Sequence, residues 1–596
     1  IQLMVLFPLL SGRKGMESKP DTHGKNMICN YCERYCDIAE GISGYCRMYQ
    51  NEAGVITENY PDSYLNIYPV SSESIPMLHF YPNSIFLLVS TIGCNFACDG
   101  CISEFQTTRK GTLQKVLTPH TPEDILTIAR ESSCRGITFC LNEPTVSLPT
   151  FLRLAKTAKK EGFLIGCSSN GYMTEETLRQ MIPYLDFVNI GLKGSSDERY
   201  RECGAVSAEP VFRNLQILYD AGVFIEVSTM YLVGREDEIC GAAKRIKQIS
   251  PSIPFQVMRF FAVTEDLNHF QPDKTQAEAI CTTLREVVDH VYLFNTPATT
   301  ELDSRCPNCG KTIIHRVFFG PMAARILSMQ PDGICSCGYT YFHKGDIVPI
   351  PADDAPVLGG YRSIMGAKFI ASFLKVLGVT DEVEIDNLCN LVIGNGYLAD
   401  LQQQHDSLET FTAMTRYLSN LSGRQETGEK LIRYATKVAN DIAEKVQNAN
   451  NPRVYGVFCH PLSPMYATKL GNVLVEMAGG MSLNIQGNFH ERSHAEYTAK
   501  ELNDLNPEII LISGHFAPSI DEFLTTCKNL GISCKATVER KVFTMDSEFT
   551  SGDLGWLISL MDVANILHPD IINYSLEEEK KRLETFVTEA KGKGSL

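Results

Sequence analysis

A chain of 596 residues is too long for one apolar core, so it divides into several domains. Its 44% apolar and 21% charged content is that of an ordinary folded protein, which excludes a disordered or fibrous class. A formal charge of −16 argues against a nucleic-acid partner, whose phosphates demand a basic surface, and no apolar run reaches the roughly eighteen residues of a membrane span.

In chain order, Ile1–Gly15 is apolar for about ten residues, with no basic leader before them and no small-residue cleavage site. It reads as a translated leader ahead of a start near Met16, and 1–25 as disordered. From Met27 to about Asn83 the chain is rich in Cys, Tyr and Pro without periodicity, as in a small metal-stapled segment wrapped on something larger. From Ser84 the pattern alternates. Apolar runs predict buried parallel strands at Ile85–Ser90, Gly136–Phe139, Phe163–Cys167, Phe187–Ile190, Phe224–Thr229 and Pro254–Met258. Amphipathic helices are predicted at Pro122–Glu131, Leu148–Lys160, Glu175–Ile182, Pro210–Ala221 and Glu236–Ile249. Six units of this kind give an α/β fold, a partial (β/α)6 TIM-like arrangement with its chemistry at the C-terminal ends of the strands. A Cys-paired segment follows at 301–345, then a Pro-rich linker, a mainly helical stretch with a long charged helix at Glu426–Gln447, and a second alternating pattern. In that pattern Val454–Phe458 and Glu508–Ser513 read as strands, and Ala467–Ala478 and Ala495–Asn503 as helices.

Eleven of the 21 cysteines fall into three tight groups, and tight grouping favours metal. The other ten, Cys203 among them, lack partners at ligand spacing and mostly read as core thiols, with Cys140 and Cys167 at strand ends close to the expected active site. The sharpest group is Thr91-Ile-Gly-Cys94-Asn-Phe-Ala-Cys98-Asp-Gly-Cys101, a C-x3-C-x2-C loop leaving the first predicted strand. Three thiolates can hold three irons of a cubane, and the fourth iron is then free to take a substrate's amine and carboxylate.

This loop resembles that of the radical S-adenosylmethionine (SAM) superfamily. With Thr138–Pro144, Ser168–Gly171, Val188–Lys193 and Phe255–Phe260 at successive strand ends, the stretch 26–345 resembles the radical SAM enzymes of the AmmeMemoRadiSam system, relatives of pyruvate formate-lyase-activating enzymes. The resemblance implies a [4Fe–4S] cluster on Cys94, Cys98 and Cys101 that binds SAM and, given a low-potential electron, yields methionine and a 5′-deoxyadenosyl radical. It also implies that Asn142, Glu143 and Pro144 meet the SAM amino group, that Ser169 and Asn170 face its ribose or carboxylate, and that Lys193 is a polar SAM-side contact. Phe96 and Asp99 would lie near the cluster and adenine. Two positions depart from the relatives: Gly191-Leu192-Lys193 stands where Asp-Leu-Lys is common, and Gln256 where a histidine is often found near the sixth strand.

The second group, Cys29-x2-Cys32-x3-Cys36-x9-Cys46, has the four thiolates of a zinc site or of an auxiliary Fe–S cluster, and spacing does not choose between them. The third, Cys306-x2-Cys309 with Cys335-x-Cys337, looks like a ribbon holding zinc or iron. The C-terminal third resembles helical-backbone substrate-binding proteins for metal chelates, on Arg453–His460, Ala478–Gly480 and Leu505–Ser513. A cleft there would present His460, Ser463, Met465, Tyr466, His490, His494 and His515 to a small-molecule or metal-chelate ligand.

The expected division is therefore a leader at 1–25, a Cys-rich segment at 26–83, a radical SAM barrel at 84–300, a four-cysteine ribbon at 301–345, a linker at 346–359, a helical lobe with its connecting helix at 360–450, and an α/β lobe at 451–590. The expected activity is that of a cytoplasmic, anaerobic enzyme served by a flavodoxin- or ferredoxin-type electron donor and acting on a small molecule or metal cofactor. The alternatives are a glycyl-radical-enzyme activase acting on a protein, and a non-catalytic Fe–S or metal-chelate binding protein.

Overall fold

The structure, a computed structural model, describes residues 26–101, 103–107, 117–262, 265–296, 299–318, 322–348, 369–394, 408–457, 460–462, 464–465, 470–487, 498–512, 519–545 and 555–591. The expected leader and positions 349–359 of the expected linker lie outside them.

The alternating half forms one eight-stranded sheet: β1 (Asn66–Ser71), β2 (Ile85–Ser90), β3 (Gly136–Phe139), β4 (Leu164–Ser169), β5 (Phe187–Leu192), β6 (Phe224–Tyr231), β7 (Phe255–Arg259) and β8 (Val291–Phe294), neighbours in that order. β2 to β8 run parallel, and β1 pairs antiparallel with β2. Between the parallel strands lie α1 (Pro122–Glu131), α2 (Leu148–Lys160), α3 (Glu175–Met181), α4 (Glu209–Asp220), α5 (Glu236–Ile249) and α6 (Lys274–Arg285), with shorter helical turns beside some of them. All six expected strands are present, but the sheet gains a strand on each edge. Among the described residues β1 and β8 do not pair with each other, so the sheet is open rather than a closed barrel.

Local sequence sets these boundaries. Thr121 and Asp124 form a capping box ahead of α1, with Pro122 in its first turn, and Asp273 and Gln276 do the same for α6. β2 is buried at every position after Ile85, which is why its run is continuously apolar. Gly166 sits where a Cβ would stand 2.3 Å from the Phe187 ring, so its lack of a side chain lets β4 and β5 close on that aromatic.

The segment 26–83, expected as a separate wrap, supplies β1 and then threads Ser72–Phe80 into the sheet's polar interior. Glu226 on β6 accepts from the backbone N–H of Leu78 (3.1 Å) and His79 (2.8 Å), and Gln256 on β7 donates to Pro76 O (2.7 Å) and to Glu226 (2.7 Å). The Cys-paired segment is a three-stranded antiparallel ribbon docked on the same stretch. Its Arg316 is fully buried, donating to Glu73 at 2.7 Å, to Ser304 Oγ at 2.6 Å and to Leu78 O at 3.2 Å. Truncating Arg316 to Met leaves Glu73 buried without its cation, so a loss of about 3–5 kcal/mol is expected in urea unfolding followed by far-UV circular dichroism. The double variant E73Q/R316M should recover part of that loss.

The C-terminal third has two apolar clusters of its own, one drawn from Ile370 to Leu583 and a smaller one from Tyr455 to Val542, and neither shares a residue with the core of the first sheet. Four parallel strands, β9 (Arg453–Val457), β10 (Met481–Ser482), β11 (Ile509–Ile512) and β12 (Val542–Thr544), lie in the order β10-β9-β11-β12. The long helix α7 (Gln425–Val446) packs its apolar stripe into the same core as α8 (Leu470–Met477) and the apolar α9 (Gly555–Leu567). The segments expected as two lobes therefore contribute to one core. No helix among the described residues is long and apolar enough to cross a membrane.

Candidate functional site

The C-terminal end of β2 runs into the cysteine loop, and the end of β3 holds that loop in place. Asn142, buried at the β3 end, accepts from Thr91 N (3.0 Å) and donates to Thr91 Oγ1 (2.8 Å) and Ile92 O (3.1 Å). Gly93 turns the loop at φ +86°, and a Cβ there would stand 2.7 Å from Met48 Cγ, so the loop lies directly against the N-terminal segment. Cys94, Cys98 and Cys101 follow, all partly buried free thiols. Phe96 N–H donates to Cys94 Sγ at 3.3 Å, and the Phe96 ring is wedged between Tyr172 and Tyr200. Burial pushes the thiols of Cys94 and Cys101 up, and the Glu143 carboxylate adds to the effect at Cys94.

Glu143, buried, organises the next two strand ends. Its carboxylate accepts from Ser169 Oγ (2.9 Å), Asn170 N (2.8 Å), Thr145 N (3.1 Å) and Thr145 Oγ1 (2.5 Å), while burial raises its pKa. Pro144 opens a short helical turn that fixes this arrangement. Asn170 then donates to Asn95 Oδ1 at 2.6 Å and to Cys94 Sγ at 3.6 Å. Lys193, at the end of β5, meets the cysteines from the other side. Burial works against its charge, but Cys98, Cys203, Cys101 and Cys94 hold the ammonium above the usual lysine range. Gly191 leaves open the space beside it, since a Cβ there would stand 3.7 Å from Lys193 Nζ. Gln256 is fully buried in the polar network under Ser72–Phe80, so the departure noted there is absorbed by packing.

The residues expected at the site thus converge on one loop. Three that matter to it were not singled out. Arg34 donates to Asn95 O at 2.5 Å and to Gly204 O, clamping the loop from the N-terminal segment. Asn95 is fully buried between Asn170 and that segment. Cys203, expected as a core thiol, is indeed buried, but it stands beside Cys98. Arg34 and Cys203 reach the loop only through the tertiary fold, and Asn95, inside the loop, through what its side chain meets; no spacing rule announces these contacts.

The ribbon cysteines form a compact group. Cys306 and Cys337 approach to 3.4 Å between sulfurs, as do Cys309 and Cys335, and all four sulfurs lie within 4.8 Å of one another. That spacing fits a single tetrahedrally coordinated ion. Cys29, Cys32, Cys36 and Cys46 instead ring a cavity that Asn95 also lines.

In the C-terminal third, Met465 is a core side chain, its methyl filling the space beside Gly456 and Gly471. His460 accepts from Leu462 N at 3.3 Å, and burial, with Lys274 nearby, pulls its pKa down to about 4. Ser463, Tyr466, His490, His494 and His515 lie outside the described residues.

A family model described as Radical SAM superfamily matches residues 88–244. An uncharacterized protein of Methanocaldococcus jannaschii is 28% identical over 318 residues, 51% of this chain and 91% of that one. Among solved structures, a periplasmic solute-binding protein of Veillonella parvula is 18% identical with a TM-score of 0.27, covering 31% of this chain and 58% of its own. The periplasmic heme-binding protein RhuT of Roseiflexus is 15% identical with a TM-score of 0.25, covering 27% and 64%. The chain spans less than two thirds of the length of either structure.

Proposed function

We propose, from the premise that residues 88–244 carry a radical SAM domain, that the chain reductively cleaves SAM at a [4Fe–4S] cluster on Cys94, Cys98 and Cys101. In this reading the radical produced acts on a small molecule or metal cofactor. The observation that carries the reading is the convergence of three free thiols on one loop with the Lys193 ammonium beside them. The donor set fits the group: three sulfurs, a neighbouring cation to offset thiolate charge, and an amide N–H from Asn170 directed at Cys94. When bound, such a cluster supplies one low-potential electron and an open iron for the amine and carboxylate of SAM.

The chain's own residues do the positioning. Asn142 fixes the start of the loop, and Glu143 sets Ser169 and Asn170, which with Pro144 and Lys193 would line the SAM side. Phe96, buried between its two tyrosines, anchors the middle of the loop against the sheet. A flavodoxin- or ferredoxin-type donor would supply the electron. Every cysteine among the described residues is a free thiol, which supports a reducing, cytoplasmic setting.

Anaerobically reconstituted protein given dithionite and SAM should release 5′-deoxyadenosine and methionine in equal amounts, quantified by chromatography. Absence of both products with dithionite and with protein donors alike would sink the reading.

A further inference from the structure

We propose that Cys29, Cys32, Cys36 and Cys46 hold a polynuclear iron–sulfur cluster rather than a single metal ion, making a second redox centre one side chain away from the SAM-binding loop. For its neighbour, though not for its own ligands, this rests on the function proposed above.

The first argument is sulfur spacing. A tetrahedral zinc site has Zn–S bonds of about 2.3 Å, which places its sulfurs about 3.8 Å apart. The ribbon cysteines have that spacing. Among the described residues they are the only group that brings three or more ligand atoms within 4.8 Å of one another, and all four N-terminal cysteines are described. So no three of the N-terminal sulfurs lie so close. They face one another around a cavity that all four line. Four thiols held apart around a space suit a cluster of several irons, with bridging sulfides between.

The second argument is that the ring is built rather than incidental. The hairpin Met27–Ile28 with Asp37–Ile38 brings Cys29 N to Cys36 O at 2.9 Å. Backbone N–H groups two residues on, from Tyr31, Arg34 and Met48, are directed at Cys29, Cys32 and Cys46, as thiolate sulfur requires. Gly44 allows the close approach, since a Cβ there would stand 2.8 Å from Ile38 Cδ1.

The third argument is adjacency. Asn95 lines the cavity and its side chain acts on Cys32, while the same side chain accepts from Asn170, which also donates to Cys94. Arg34, between Cys32 and Cys36 in sequence, donates to Asn95 O. One amide therefore stands between a thiol of each centre.

The test is acid-labile sulfide, because neither zinc nor a mononuclear iron in the ribbon contributes any. Full-length protein reconstituted with iron and sulfide should contain about six to eight sulfides per chain, and the C94A/C98A/C101A variant about two to four, with a visible Fe–S absorbance. In reduced wild type, electron paramagnetic resonance should show broadening from two interacting spins, lost in C32S/C46S. About four sulfides in wild type, together with a colourless zinc-bound triple variant, would overturn the proposal. A SAM-responsive signal in C32S/C46S reports separately on the function proposed above. If the triple variant fails to fold, the wild-type sulfide count and spin broadening still decide.

Discussion

Replacing any one of Cys94, Cys98 or Cys101 by alanine is expected to abolish 5′-deoxyadenosine formation and to remove about four irons and four sulfides per chain. The three thiols come from one loop turned at Gly93 and Gly100, and Cys203, though beside Cys98, belongs to a different loop, after Glu202. A lost ligand therefore has no substitute on the loop itself. Metal taken up by the ribbon cysteines, which lie on their own strands in a separate apolar cluster, should stay at the content found in wild type, which distinguishes loss of a centre from loss of the fold. Retention of both sulfide content and SAM cleavage in all three variants would refute the assignment of these ligands.

Glu143→Ala should lower SAM cleavage by about ten- to a hundred-fold while leaving iron content unchanged. None of the Glu143 contacts is a ligand, but four donors from three residues depend on its carboxylate. Their loss frees Asn170, whose amide reaches Cys94 and Asn95, and leaves the buried N–H of Asn170 without its acceptor. That unsatisfied donor costs about 1–3 kcal/mol of stability, visible in thermal unfolding. Glu143→Gln, which retains one acceptor oxygen, should fall between. A variant that loses iron in proportion to activity would show that Glu143 serves the loop's fold rather than the orientation of its ligands.

The sheet from β2 to β7 was legible because its strands are unbroken apolar runs and its helices open on recognisable caps. The added strands were not. Val291–Phe294, as short as the predicted Gly136–Phe139, follows the preceding helix after only a few residues and is not separated from its end by periodicity. Asn66–Ser71 contains Pro69, which argues against a strand, yet an edge strand tolerates it opposite Leu87. The cysteines proposed as ligands stood out by their spacing, and the strand-end motif through the resemblance. Arg34, Asn95 and Cys203 could not: Arg34 and Asn95 sit at the unspecified positions between ligand-spaced cysteines, and Cys203 in a separate loop, so only the tertiary fold shows what each touches. In the C-terminal third, Met465 looked like a cleft residue because it follows a strand-to-helix turn, but its side chain turns inward to fill the gap left by two glycines.

The threading of Ser72–Phe80 under the sheet has a practical corollary for anyone wishing to excise the catalytic unit. Cutting at 84 and 300, where the alternating pattern begins and ends, would strand the Glu226 carboxylate and strip an edge from the sheet. The smallest fragment expected to stand alone starts ahead of Cys29 and runs through Val348, whose backbone still reaches Pro82 and Asn83. Arm, sheet and ribbon are knit by one buried polar network: what the sequence spells as three modules, the structure joins.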